Sequence, residues 1–204
     1  RFDDPVQTPG AFYAGEPPAG PVVPPGDYQV KLTVNGQSQT APLHVMIDPR
    51  EKDAGEGIQP AVTLGLQVRD RISQLHQAIN EIHETTIQID GLKKRFAGNE
   101  KVKPALAAAD DLKNKAEAIE GVLMQVKMKS SEGNLVYPNQ MNEEFYSFNA
   151  TIDADAAPTV PQQEVFKRLS NRLDDQLKQW AGLKSSEVPQ VNGRSKQREV
   201  RALR

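Results

Sequence analysis

Chemistry in this chain has to start from three histidines, because there is no cysteine. That absence excludes disulfides, thiolate metal sites and a thiol nucleophile. His76 and His83 are seven residues apart. On a helix this is two turns, about 10 Å, too far for one metal ion without a bend. A di-iron bundle needs Glu-x-x-His on two helices. Here Ser73 stands three before His76 and Asn80 three before His83, so neither fits. His44 falls in an alternating stretch, where a lone histidine reads as structural. The chain has no His-Glu-x-x-His, no phosphate-binding glycine loop and no Gly-x-Ser-x-Gly.

The carboxylates are no more suggestive. Asp110-Asp111, Glu143-Glu144 and Asp174-Asp175 are adjacent pairs in helical stretches. Helical neighbours diverge by about 100°, so such pairs do not converge on one substrate as a glycosidase pair must. Asp153 and Asp155 resemble the start of a calcium loop, but its glycine and terminal glutamate are missing. Asn149-Ala150-Thr151 matches a glycosylation sequon and reads as a chance match. Trp180 belongs to an apolar stripe and reads as core. The sequence therefore assigns no catalytic, cofactor-binding or metal-ligating residue, and no cofactor is expected.

The elements that would position any site follow from periodicity. Hydrophobic residues make up 37% and charged residues 25% of 204, with a net charge of −2 and mixed signs. This excludes a broad basic surface for nucleic acid. The basic tail carries Arg194, Lys196, Arg198, Arg201 and Arg204 and reads as a solvated end. No apolar run approaches the roughly 18 residues of a membrane span. Residues 1–26 are rich in Pro and Gly and read as extended coil. Phe2, Phe12 and Tyr13 are candidate anchors for it.

From Asp27 the pattern alternates: Tyr28, Val30, Leu32 and Val34 share one face. Asn35-Gly36 is the preferred pair for a two-residue type I′ turn. That turn sets Val34 opposite Gln37, Leu32 opposite Gln39, Val30 opposite Ala41 and Tyr28 opposite Leu43. Pro42, which cannot donate to a ladder, marks an edge or bulge. A lone hairpin is marginal in water. Its apolar face calls for a cover: further strands, another copy of the chain, or the end of the helical part.

Beyond residue 51 the period changes to 3.6. One stripe runs through Val68, Ile72, Leu75, Ile79, Ile82, Thr86, Ile89 and Phe96, predicting a helix over about 60–94, roughly 50 Å long. A second runs from Val102 through Ala105, Ala109, Leu112, Ala116, Ile119 and Leu123 to Val126, stopped at Gly133. A third covers Met141, Phe145, Phe148 and Ile152. The fourth covers Phe166, Leu169, Leu173, Leu177, Trp180 and Leu183, with Thr159 and Gln162 as its capping box. The predicted fold is mostly α: an up-down four-helix bundle, preceded by a Pro-rich segment and a β-hairpin. Residues 1–50 form the first unit, 51–190 the bundle and 191–204 the basic tail.

The stretches "GPVVPPGDYQVKLTVNGQSQTAPLHVMIDPR" and "LGLQVRDRISQLHQAINEI" give a resemblance. They resemble the C-terminal region of secreted bacterial sortilin-like, BNR-repeat proteins that carry a glycosyl hydrolase label. In that family a β-propeller and an Ig-like sandwich precede a helical region. The resemblance implies that the hairpin is the end of an Ig-like domain and that the location is periplasmic or extracellular. It also implies that the chain is a segment of a longer protein. No family catalytic residue carries over, since any would lie in the propeller. The expected role is a non-catalytic structural or interaction module with a protein partner. The alternative is an accessory module of a glycan-acting hydrolase.

Overall fold

A computed structural model describes residues 1–50 and 55–196, with side chains as far as 191. Two strands, β1 (Gly26–Val34) and β2 (Gln37–Val45), precede four helices. These are α1 (Gly55–Arg95), α2 (Lys103–Leu123), α3 (Met141–Ile152) and α4 (Val160–Lys196), with short 3-10 turns at Glu100–Val102 and Ser131–Leu135. The strands are antiparallel in the register that the turn dictates, including Val34 with Gln37 and Tyr28 with Leu43. Asn35 and Gly36 take φ of 51° and 80°, the left-handed pair that a type I′ turn requires.

The helix pattern holds, but the arrangement is not up-down four-helix. His83 pairs with Glu120, Asp90 with Lys113 and Lys93 with Asp110. Each step forward along α1 is matched by an equal step back along α2, so the two are antiparallel. Arg71 pairs with Asp174 and Glu81 with Lys184, equal steps in the same direction. Thus α4 runs parallel to α1. Between α3 and α4, Glu144 meets Arg172 and Phe148 stacks on Phe166, and the order is again reversed. The architecture is up, down, up: α1 ascends, α2 and then α3 descend along successive stretches of it, and α4 ascends. The third stripe is short because it is half of a leg.

Three boundaries differ from expectation. α1 is described from Gly55, and Pro60 sits inside it. Its missing N–H leaves only the carbonyl of exposed Glu56 without a helical partner. α2 stops at Leu123 instead of running to Gly133. There Gln125 offers the backbone an alternative: its side chain donates to the Pro138 carbonyl at 2.9 Å and accepts from the Lys127 N–H at 3.2 Å. Val126, placed in the stripe by periodicity, is therefore exposed. α4 continues to Lys196, and Val191 is buried beside Ile89, Leu92, Ala109 and Leu112. The side chains of Arg194 and Lys196, and Arg198, Arg201 and Arg204 entirely, lie outside the described residues.

The main core joins Val68, Leu75, Ile79 and Ile82 of α1 to Ile119 and Leu123 of α2, Phe145 of α3, and Leu173 and Trp180 of α4. Phe166, expected in the core, is only partly buried at its edge. The α4 start is as read from sequence. The Thr159 N–H donates to Gln162 Oε1 at 2.8 Å, and Thr159 Oγ1 accepts from the Gln162 N–H at 3.3 Å.

Candidate functional site

Two places stand out: a buried polar network under the Pro-rich segment, and the hairpin. Residues 1–25 form a strap across α1 and α3. They have no ladder, so α1 side chains satisfy their backbone. The Val6 N–H donates to Ser73 Oγ at 3.1 Å, and Asn80 donates to the Gln7 carbonyl at 3.0 Å. His76 Nδ1 donates to the Val6 carbonyl. The strap closes on itself where the Gly20 N–H meets Asp4 Oδ1 at 2.9 Å. A side chain at Gly20 would sit 2.3 Å from the Phe2 carbonyl oxygen, so only glycine fits.

His76 is fully buried at the centre of the network. Its Nε2 lies 2.8 Å from Asn142 Oδ1 and 3.2 Å from the Tyr13 hydroxyl. Asn142 donates to Glu143 Oε1 at 3.0 Å, and Glu143 Oε2 accepts the Gln140 N–H at 2.9 Å, which closes the start of α3. Glu143 is thus buried, not solvated, while its neighbour Glu144 turns outward to Arg172. Burial pushes the Tyr13 phenol up to about 12. The groups are of catalytic type, but they spend their hydrogen-bonding capacity on one another. None of them lines the cleft of about 340 Å³ at the hairpin's base.

His83 is held by Glu120 at 2.6 Å and His44 by Asp27 at 2.6 Å, so the three histidines are in separate places. Among the described residues no group of three or more His, Asp or Glu side chains is placed to hold a metal. Asp110 and Asp174 pair with Lys93 and Arg71, and Asp153 with Arg1. Trp180 is in the core, and its indole donates to Glu81 at 2.7 Å. Burial alone would raise the Glu81 carboxyl, but Lys184 and Trp180 hold it below the usual range.

The hairpin is the opposite case. Its polar face carries the His44–Asp27 pair and a Thr33–Ser38 hydrogen bond of 2.8 Å. Its apolar face is uncovered: Val30 is 51%, Leu32 64% and Val34 57% exposed. Only the base is engaged, where Ile47 packs with Phe2 on Ile58 and Val62. No family model, curated protein or solved structure matches this chain. The function therefore has to be read from the geometry. No helix among the described residues is long and apolar enough to cross a membrane.

Sequence reasoning pointed to Tyr13 as an anchor and missed the network that it enters. The readable signal was Gln140-x-x-Glu143, a Glu three residues after an N-cap position. The contact of His76 with Val6 has no local signature.

Proposed function

We propose that the chain is a non-catalytic structural and interaction module whose hairpin is its docking element. One observation carries this reading: the aliphatic residues of β1 share a single face, and the helices leave that face in water. At about 25 cal/mol per Å² of apolar surface, covering several such side chains is worth several kcal/mol. The end of the bundle does not supply the cover. In this reading another sheet does, from the same polypeptide or another subunit, and the hairpin is the remnant of an Ig-like sandwich. In this reading the module belongs to a secreted, periplasmic or extracellular bacterial protein with a β-propeller, as the resemblance implies. The strap supports the same reading, because it fixes the hairpin's base to the helices and gives the docking element a rigid mount.

The accessory-module alternative needs exposed aromatic side chains on which a sugar would stack. The cleft at the hairpin's base is lined by aliphatic residues with Arg1, Asp48, Asn149, Asp153 and Asp155 at hand, and by no aromatic residue. The test is amide exchange across residues 28–34 and 39–45, measured in the chain alone and in the intact protein from which it comes. The reading expects fast exchange in the first and slow exchange in the second. Equal exchange in both would remove the docking role.

A further inference from the structure

We propose that the β1 edge of the hairpin pairs with the β1 edge of a second copy of this chain. This rests on the reading of the hairpin as a docking element, but it concerns the sheet's edge and not its apolar face. A two-stranded sheet has two free edges, and these two are not equivalent. The two-residue loop makes Val34 and Gln37 a hydrogen-bonded pair, and bonded pairs alternate along an antiparallel ladder. Tyr28, Val30 and Leu32 therefore spend their backbone groups on β2, while those of Asp27, Gln29, Lys31 and Thr33 point outward. On β2 the outward positions are Ser38, Thr40, Pro42 and His44. Pro42 has no N–H, and its ring fills space that a neighbouring strand needs. The β2 edge is blunted at its middle. The β1 edge keeps its donors from Asp27 to Thr33, and an unprotected edge is a template for another chain.

Charge selects a second copy as the occupant. Asp27 and Lys31 are exposed and flank Gln29 at outward positions, and Asp27 meets His44 through Oδ1 only. A symmetric antiparallel pairing centred on Gln29 sets Asp27 of each copy against Lys31 of the other, twice, and Tyr28 beside Val30. The register centred on Lys31 would oppose two like charges. Such an edge contact is smaller than the roughly 1,200 Å² of a stable interface, so the dimer is concentration-dependent.

Sedimentation equilibrium of the full chain tests this. The expected result is a reversible monomer–dimer equilibrium. Lys31→Pro removes an outward N–H without touching the hairpin's own ladder and raises the dissociation constant tenfold or more. Thr40→Pro makes the same change on the blunted edge and leaves it unaltered. Lys31→Glu weakens the dimer, and adding Asp27→Lys restores it; this arm needs no proline. A chain that stays monomeric, equal effects of the two prolines, or failure of the charge swap to restore pairing would each overturn the proposal. A monomeric chain whose hairpin amides are nonetheless slow in the intact protein overturns the edge pairing alone and leaves the module reading standing.

Discussion

The strap and the hairpin are consecutive in sequence and opposite in kind. Residues 1–25 hold seven prolines and no periodic pattern. Yet Thr8 and Tyr13 are buried, and the strap's backbone is bonded to α1. Residues 26–45 have alternation, a favoured turn and a matched register, and they stand almost wholly in water. Pattern specifies the form of a segment. Whether the segment is buried depends on what else is there to meet it. The strap meets a groove between α1 and α3 with donors and acceptors at the right places. The hairpin meets only the cluster at its base.

The sharpest way to break this contrast is to remove the strap's anchor. His76→Leu strands the Val6 carbonyl and takes one partner each from Asn142 Oδ1 and the Tyr13 hydroxyl, which keep only their mutual contact of 3.4 Å. Each buried group left unpaired costs about 1–3 kcal/mol. The melting temperature should fall, and limited proteolysis should open the strap around residues 9–17 before it cuts the helices. If cleavage there is unchanged, the network is not what holds the strap.

Alternation and Asn35-Gly36 predicted the hairpin down to its cross-strand partners, because both signals are local. The stripes of Leu75, Ile79, Ile82 and Leu123 likewise located the core. Helix direction was not legible. Stripes give faces and lengths, and it takes the two pairings of Arg71 with Asp174 and Glu81 with Lys184 to show that α4 runs with α1. The end of α2 was missed because Val126 continues the period, while Gln125 takes its partners from Pro138 and Glu143, far along the chain. The candidate site divides the same way. The hairpin face was readable, but the network of Tyr13, His76, Asn142 and Glu143 brings together residues from three segments.

A milder probe of the same contrast is alkali. The Tyr13 phenol is pushed from 10 up to about 12, chiefly by burial. The folded state thus holds this proton more tightly than the unfolded state. The associated stability is fully present below about pH 10 and is lost as pH rises through about 12. Between those values the wild-type strap should loosen, with the tyrosinate absorbance of Tyr13 appearing late. Tyr13→Phe should lose the late absorbance step and show less alkaline loosening. A Tyr13 that ionises near 10 would mean that the strap does not bury it.

The smallest effect belongs to the hairpin, and its smallness is informative. Leu32 is 64% exposed, and its cross-strand partner Gln39 is polar. Leu32→Thr introduces a β-branched, strand-favouring residue and removes apolar surface that nothing covers. In the chain alone, stability should shift by no more than about 0.5 kcal/mol, as for other surface changes. In a longer protein of the kind proposed, the same substitution should cost more, because there the side chain would lose its transfer from water, worth about 1.5–3 kcal/mol for a fully buried leucine. The measurement is a pair of denaturation curves, one for each context. A difference between contexts measures the cover directly. A large loss in the chain alone would mean that the face is already packed against something. A small loss in both would mean that the face stays in water and is not a docking surface.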